Sequence, residues 1–143
     1  MKTVPTSSDK PVAPFPEPVV DAITKPYWDA LREGVLTYQH CLSCLNNWLP
    51  GRGECPQCLQ AKWEWVPASG RARLVSWVVF HRAFHPAFTG RLPYNVAVVE
   101  LIEGPRLITN ILVDDAETLI IDQPLVFVPA IEHGRGIARF KVA

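Results

Sequence analysis

The chain has 143 residues, of which 48% are hydrophobic and 20% charged, and its formal net charge is zero. This apolar content, with five tryptophans and six phenylalanines, supports a packed core and excludes a wholly disordered chain. Strong nucleic-acid binders usually carry a basic excess that neutralises phosphates, and this composition has none. No apolar run reaches the roughly 20 residues that span a bilayer, and the N-terminus lacks the apolar segment of a secretory signal. We therefore expect a cytoplasmic protein that does not enter a membrane, in which paired cysteines more often bind metal than form disulfides.

Residues 1–20 contain five of the chain's 14 prolines and show no hydrophobic periodicity. This composition predicts an extended arm outside the core. A short helix is predicted next, because Thr24 can cap it, Pro26 is tolerated in its first turn and Gly34 can end it. Three residues form its apolar face: Tyr27, Trp28 and Leu31. That face either docks on the chain's own core or binds a partner protein.

All four cysteines lie in the stretch CLSCLNNWLPGRGECPQC, as two Cys-x2-Cys pairs separated by ten residues. Each pair predicts a knuckle that directs two sulfur atoms at one point, and two knuckles complete a tetrahedron. The predicted metal ligands are Cys41, Cys44, Cys55 and Cys58. Zinc favours this closed four-thiolate site, although iron in a rubredoxin-like site has the same geometry. A thioredoxin-like dithiol fits poorly, because the sequence offers no βαβ context.

The predicted zinc has a structural role. A ribbon of about 30 residues buries too little apolar surface to fold alone, so metal binding supplies the missing free energy. The flanking runs VLTYQH and KWEWV alternate as strands and are predicted to pair beside the knuckles. Because the site uses every thiol, no cysteine remains as a catalytic nucleophile.

From Gly70 onward the sequence predicts five strands: RARLVSWVVFH, PYNVAVVEL, RLITNILV, PLVFVPAIE and GIARFKV. IEGPR predicts a tight hairpin between the second and third strands, and HGRG a turn between the fourth and fifth. DDAETLI, between the third and fourth, predicts an aspartate cap and about one helical turn. This order is typical of a five-stranded OB-fold barrel. The predicted fold is mainly β, and we divide the chain into the arm (1–20), the helix and zinc ribbon (21–68) and the barrel (69–143).

A second candidate site lies in FHRAFHPAFTGRLPYN, which connects the first two barrel strands. The chain has no acidic residue between Glu64 and Glu100, where it carries four arginines, two histidines and several aromatic residues. A cationic, aromatic loop can receive a phosphorylated, adenine-bearing ligand or an acidic partner surface. Alternatively, the aromatic side chains point into the barrel, the arginines are solvated, and the two histidines are exposed without a catalytic companion.

Four stretches in this order resemble those of a known family: YWDALREGVLTYQHCLSC, ECPQC, GRARLVSWVVFHRAFHPAF and PYNVAVVELIEGPRLITNI. The family is that of acyl-CoA-associated OB-fold proteins with an N-terminal rubredoxin-like zinc ribbon, long catalogued as a domain of unknown function. The likeness covers roughly residues 24–141, and the four cysteines match the family's zinc ligands.

The resemblance implies a non-catalytic accessory or scaffold subunit. Such a subunit binds a thiolase-like enzyme (an acyltransferase, thiolase or aldolase acting on CoA thioesters) in a hetero-oligomer, supports its assembly and in some assemblies borders the CoA channel. On this chain, partner or CoA contacts are expected at the helix face and the barrel loop: Tyr27, Trp28, Arg73, Phe80, His81, Arg82, Phe84, His85, Phe88, Arg91 and Tyr94.

Two other functions stay open on the sequence. One is a single-stranded nucleic-acid-binding module, because zinc ribbons and OB barrels both occur in such proteins. The other is an enzyme that uses His81 and His85. A steep loss of nucleic-acid affinity with salt would support the first. Turnover of an acyl-CoA by the purified chain alone would support the second.

Overall fold

The computed structural model describes residues 14–143, so the predicted arm is covered only from Pro14 onward and its residues 1–13 lie outside the described part. In chain order the elements are α1 (Lys25–Arg32), β1 (Thr37–Cys41), β2 (Asn47–Trp48), β3 (Trp63–Pro67), β4 (Arg71–Phe80), β5 (Tyr94–Leu101), β6 (Arg106–Thr109), β7 (Pro124–Glu132) and β8 (Arg135–Val142). Two short 3-10 helices, Pro86–Arg91 and Ala116–Thr118, lie in the β4–β5 and β6–β7 connections. No helix within residues 14–143 has the length and apolar character that crossing a bilayer would need.

The strands form two antiparallel sheets, and the predicted mainly-β fold is confirmed. The ribbon sheet has the order β2-β1-β3, and the barrel sheet has the order β6-β5-β4-β7-β8. The barrel closes where Ile111 forms a parallel bridge with Phe140 and the amide of Leu112 donates to the Phe140 carbonyl at 2.7 Å. This strand order with closure between its ends is that of an OB barrel.

The third barrel strand is shorter than predicted. The sequence indicated a strand through residue 113, but β6 ends at Thr109. Beyond it the chain leaves β5 and crosses toward β8 to close the barrel, so the apolar residues of this segment serve closure rather than a continued ladder.

Alternation along the strands separates the barrel interior from its surface. Ala97, Val99 and Leu101 of β5 are buried, and Leu74 and Phe140 face them from β4 and β8. The intervening residues point outward, as period-two alternation requires. On the outward face of β4, β5 and β6, paired side chains form rows across the strands. The row near the β5–β6 turn contains arginine and glutamate, and the row at the opposite end is aromatic.

The start of α1 differs from the sequence prediction. Thr24 does not cap the helix with its own side chain. Instead, the Asp21 carboxylate accepts hydrogen bonds from the amides of Ile23 (3.0 Å) and Thr24 (2.8 Å). The hydrogen bonds with Thr24 lower the pKa of Asp21 below its usual value. At the other end Gly34 adopts a left-handed conformation (φ +84°), which confirms the predicted helix end.

α1 packs against the barrel although it precedes the ribbon in sequence. Leu31 is 1% exposed and belongs to the barrel core. The backbone of α1 approaches β8 at Gly136, where an added Cβ would lie 2.5 Å from the Arg32 nitrogen. The Arg32 guanidinium also donates to the Gly134 carbonyl at 2.8 Å. The helix thus covers one opening of the barrel and holds the ribbon beside it.

Glu103, in the β5–β6 turn, joins the ribbon to the barrel. Its carboxylate accepts a hydrogen bond from the Ser69 amide at 2.6 Å, and its carbonyl accepts one from the Asn47 side chain at 3.0 Å. Ser69 lies in the short connection between the two sheets. Glu103 thus contacts both the ribbon and its connection to the barrel, through its backbone and its side chain.

Replacing Glu103 with alanine is expected to destabilise the chain by about 1.5 kcal/mol, the usual contribution of a hydrogen bond to a charged group. Hydrogen exchange at the Ser69 amide should accelerate more than exchange in β4. The matched control is Glu64→Ala on the exposed face of β3, which should change neither quantity. Equal effects of the two substitutions would contradict this role for Glu103.

Candidate functional site

The two cysteine pairs form equivalent knuckles, each with the local sequence Cys-x-x-Cys-Leu. In the first, the Leu45 amide donates to the Cys41 carbonyl at 3.1 Å, and in the second the Leu59 amide donates to the Cys55 carbonyl at 2.9 Å. Both leucines have a left-handed backbone, with φ of +67° and +65°. This conformation is unfavourable for a leucine, and here it turns the chain so that both sulfur atoms of each pair face inward.

The four sulfur atoms lie close enough to share one metal ion. All four are within 4.8 Å of one another. The Cys41 and Cys58 sulfurs are 3.5 Å apart, and the Cys44 and Cys55 sulfurs 3.6 Å apart. Thiolates bound to zinc at about 2.3 Å in a tetrahedron would be about 3.8 Å apart, so the cluster has about the size that the ion needs. Nothing in this donor set leaves an open position for a substrate.

Hydrogen bonds to sulfur prepare the cluster for a cation. The Cys44 amide donates to the Cys41 sulfur at 3.4 Å and lowers the pKa of Cys41. Although burial acts in the opposite direction, the amides of Cys58 and Gln57 lower the pKa of Cys55 to about 6. Against hydrogen bonding from Asn46, burial and the neighbouring sulfurs raise the pKa of Cys44 to about 12. Close sulfurs cannot all become negative without a cation, so metal binding must release protons.

The site is enclosed by the ribbon's own side chains. Trp48 and Trp63 pack on the cysteine cluster, and the Trp63 indole donates to the Gly53 carbonyl at 2.8 Å. Gln39 is fully buried, and its amide exchanges two hydrogen bonds with the backbone of Arg52, at 2.7 and 2.8 Å. These contacts fix the loop between the knuckles. The sequence analysis did not identify Gln39, because the alternation of strand residues predicts only that its side chain faces inward.

The β4–β5 connection brings most of the predicted loop residues together. Phe80 stacks on Tyr94 with ring centroids 5.2 Å apart, and Phe84 meets the edge of Phe80 at 5.9 Å. Phe88 lies 5.5 Å from Tyr94. The Arg82 guanidinium lies 5.7 Å from the Phe84 ring centroid. We call these six residues the aromatic loop surface: Phe80, Arg82, Phe84, Phe88, Arg91 and Tyr94.

The two histidines of this connection have different environments. His81 is exposed and lines a cleft of about 560 Å3 between the loop and the 3-10 turn at residues 116–118. His85 accepts a hydrogen bond from the Ala87 amide at 3.1 Å and caps the short 3-10 helix of the loop. The cap gives His85 a structural role, and the geometry does not join the two side chains into one site.

Several predicted residues lie apart from the aromatic loop surface. Arg73 lies near the opposite end of β4, where it forms ion pairs with Glu100 (3.1 Å) and Asp122. Tyr27 and Trp28 pack partly against the barrel core, and burial raises the pKa of Tyr27 to about 12. Their contact with a partner remains a prediction.

The charge of the loop is partly neutralised from elsewhere in the chain. The Arg91 guanidinium pairs with Glu132 at 2.8 Å, and Arg139 pairs with the other oxygen of the same carboxylate. Carboxylates of the 114–117 turn also line the neighbouring cleft. A polyanionic ligand is therefore disfavoured inside the cleft, whereas Arg82 is exposed next to Phe84 and has no acidic partner of this kind among residues 14–143.

Two contact residues of this end were not predicted as site residues. Phe15 of the arm and His133 of the β7–β8 turn stack on each other with ring centroids 4.1 Å apart. They are separated by more than 100 residues, so no local pattern could join them. The only sequence signal was the HGRG turn, which placed His133 in a tight connection.

A four-thiolate ribbon followed by an OB barrel defines a class of small two-module proteins. The sequence profile described as "ChsH2, C-terminal OB-fold domain" matches residues 65–128. A DUF35 domain-containing scaffold protein from Methanothermobacter thermautotrophicus is 35% identical over 102 residues, which cover 69% of this chain and 76% of that protein. The chain belongs to the DUF35 family.

Further similarities agree with this assignment. The solved structure described as "Ltp2-ChsH2(DUF35) aldolase" matches with a TM-score of 0.78 and 30% identity, covering 88% of this chain and 98% of the matched chain. A DUF35 protein of unknown function from Sulfolobus solfataricus has the same fold, with a TM-score of 0.63 at 14% identity. A probable enoyl-CoA hydratase alpha subunit from Thermomonospora curvata is 34% identical over 120 residues. This chain spans 37% of that relative's length.

Proposed function

We propose that the chain is a non-catalytic accessory subunit that binds a thiolase-like, acyl-CoA-processing enzyme and supports its assembly. The observation that carries the proposal is the match to the Ltp2-ChsH2(DUF35) aldolase chain, at 30% identity over 98% of that chain. The description of the Methanothermobacter relative as a scaffold protein supports the same role. The metal centre serves this role by folding the ribbon, because its donor set is closed.

The proposed docking site is the aromatic loop surface. Phe84 is 75% exposed in the β4–β5 connection and continues the cluster of aromatic rings through Phe80, and exposed apolar patches mark protein interaction sites. Aromatic and arginine side chains dominate the binding energy of protein interfaces, and Arg82 lies beside Phe84. A CoA phosphate is proposed to meet the chain at the exposed Arg82, and Zn2+ is proposed as the resident metal.

The nucleic-acid alternative has less support. Single-strand-binding OB barrels use stacking aromatics on the outward face of their central strands. Here the outward side chains in the middle of β5 and β6 are aliphatic: Val96, Val98 and Ile108. Absence of binding to single-stranded DNA or RNA at low salt would remove this alternative, and strong salt-dependent binding would replace the scaffold proposal.

Affinity purification of the tagged full chain from its native cells tests the proposal. The expected result is stoichiometric co-elution of a thiolase-fold enzyme, with acyl-CoA turnover by the pair and none by this chain alone. Elution of the chain alone, or turnover without a second protein, would contradict it.

The docking site is tested with the same complex. Phe84→Ala is expected to weaken enzyme binding by about thirtyfold, since interface hot spots contribute about 2 kcal/mol or more. Zinc content and thermal unfolding of the free chain should stay unchanged. Ile120→Ala is the matched control, because Ile120 is also largely exposed but lies in the β6–β7 connection. Equal enzyme binding by the Phe84→Ala and Ile120→Ala variants would show that the interface lies outside the loop.

A further inference from the structure

The described part of the arm lies against one end of the barrel. This end is formed by the β4–β5 connection and the β7–β8 turn, and the equivalent pair of loops is the ligand-binding region of many OB folds. Phe15 is half-buried there, whereas most residues between it and α1 are exposed. One side chain therefore holds an otherwise loosely packed segment on a surface suited to ligand binding.

The Phe15 ring is contacted by three side chains from two separate loops. It stacks on His133 with an interplanar angle of 26°. The Arg91 guanidinium lies 4.3 Å from the Phe15 ring centroid, within the range of a cation–π interaction. Phe88 lies at 5.0 Å in a tilted arrangement. Because Glu132 forms an ion pair with Arg91, the guanidinium is oriented even when the Phe15 ring is not bound to it.

The β7–β8 turn holds His133 in a conformation that favours other residues. His133 and Gly134 both have positive φ, +52° and +75°, as a two-residue hairpin turn requires. Asparagine, aspartate or glycine would satisfy the first position better. A histidine at this position makes the turn less stable than those residues would, but its ring makes a contact with Phe15.

The arm has further features of a recognition segment. Prolines at positions 14, 16 and 18 flank Phe15 and restrict the backbone, so docking costs little conformational entropy. Glu17 lies 3.7 Å from Arg135, which follows the same turn. The segment thus presents an aromatic ring between prolines and an acidic group two residues later.

We propose that Phe88, Arg91, His133 and Arg135 form a binding cradle for a proline-flanked aromatic segment with a following acid. Residues 14–17 of the same chain fill this cradle as a displaceable strap. Because Phe88 and Arg91 belong to both the cradle and the aromatic loop surface, a ligand that engages either of them competes with the strap. This inference depends only on contacts within the chain and stands independently of the proposed function.

The test uses the isotope-labelled full chain, its Phe15→Ala variant, and a synthetic peptide of residues 13–19. The amide NMR signals of His133 and Gly134 should shift in the variant and return toward their wild-type positions when the peptide is added. The wild-type chain should need at least about tenfold more peptide, because a short tether supplies its own segment at roughly millimolar effective concentration. The same peptide with alanine in place of phenylalanine should produce no shift.

Two further variants separate the cradle from general effects on folding. Phe15→Tyr keeps the ring and should leave the signals at their wild-type positions. His133→Asn in the Phe15→Ala chain preserves the turn preference but removes the imidazole, and should weaken peptide binding about tenfold. Unchanged signals in Phe15→Ala, or equal peptide affinity of wild type and variant, would overturn the proposal. A concentration-dependent dimer that requires Phe15 would overturn the assignment of the strap to the same chain.

Discussion

Replacing Cys44 with serine is expected to abolish zinc binding and unfold the ribbon. Serine offers a neutral hydroxyl in place of a thiolate, so only three of the four clustered sulfurs remain. Structural zinc contributes about 10–16 kcal/mol in comparable peptides, whereas burying one apolar side chain contributes about 1.5–3 kcal/mol. Packing of Trp48 and Trp63 on the cluster therefore cannot replace the metal. Metal analysis should show loss of bound metal, and tryptophan fluorescence should shift to the red.

The matched control is Ser43→Ala in the same knuckle. Only the backbone amide of Ser43 contacts the cluster, at 3.4 Å from the Cys41 sulfur, and alanine retains that amide. Metal content and fluorescence should match those of the wild type. Unchanged metal stoichiometry in Cys44→Ser would refute the four-thiolate site, and the same analysis of the wild type distinguishes zinc from iron.

Replacing Gly136 with alanine is expected to lower the free energy of unfolding by about 3 kcal/mol, near the upper end for overpacking substitutions. The added Cβ would lie 2.5 Å from the Arg32 nitrogen and 2.6 Å from the Leu31 carbonyl carbon. Both are backbone atoms, so no side-chain rotation relieves the clash and α1 must move away from β8. For a chain of this size the melting temperature should fall by about 10 °C.

Gly90→Ala provides the control for glycine replacement itself. An added Cβ at Gly90 meets no atom within 4 Å, and the backbone there is not left-handed. We expect a change within about 0.5 kcal/mol. Similar melting temperatures for the Gly136 and Gly90 variants would show that the close approach of α1 to the barrel does not support stability.

Local sequence signals predicted the elements whose geometry is determined within a few residues. Cys-x2-Cys brings two sulfurs together through one turn, so the clustering of the four cysteines followed from spacing alone, and the structure has that arrangement. Alternation marked the five barrel strands, and glycine with its neighbours marked the two hairpin turns.

The predicted end of the third strand was wrong because barrel closure between Ile111 and Phe140 depends on a residue 29 positions away. The Thr24 cap was wrong because Thr24 already has a helical backbone, and the Asp21 carboxylate instead accepts hydrogen bonds from the amides of Ile23 and Thr24.

The net charge of the β4–β5 loop could not be predicted from the residues of the loop alone. Counting arginines between Glu64 and Glu100 indicated one cationic patch, but the fold pairs Arg73 with Glu100 and Asp122, and Arg91 with Glu132. Coulomb interactions depend on distance in space, and most of these acids lie far away in sequence.

The sequence by itself determined the cluster of four cysteines, the five strands and their order along the chain, because turn chemistry and side-chain alternation act over short stretches. Only the tertiary structure decided that α1 packs on the barrel, that Arg73 lies apart from the loop, and that Phe15 contacts His133. Each of these contacts joins segments that are distant in the chain. These contacts form only when the barrel closes and the helix packs on it. The local sequence of either segment therefore does not predict them.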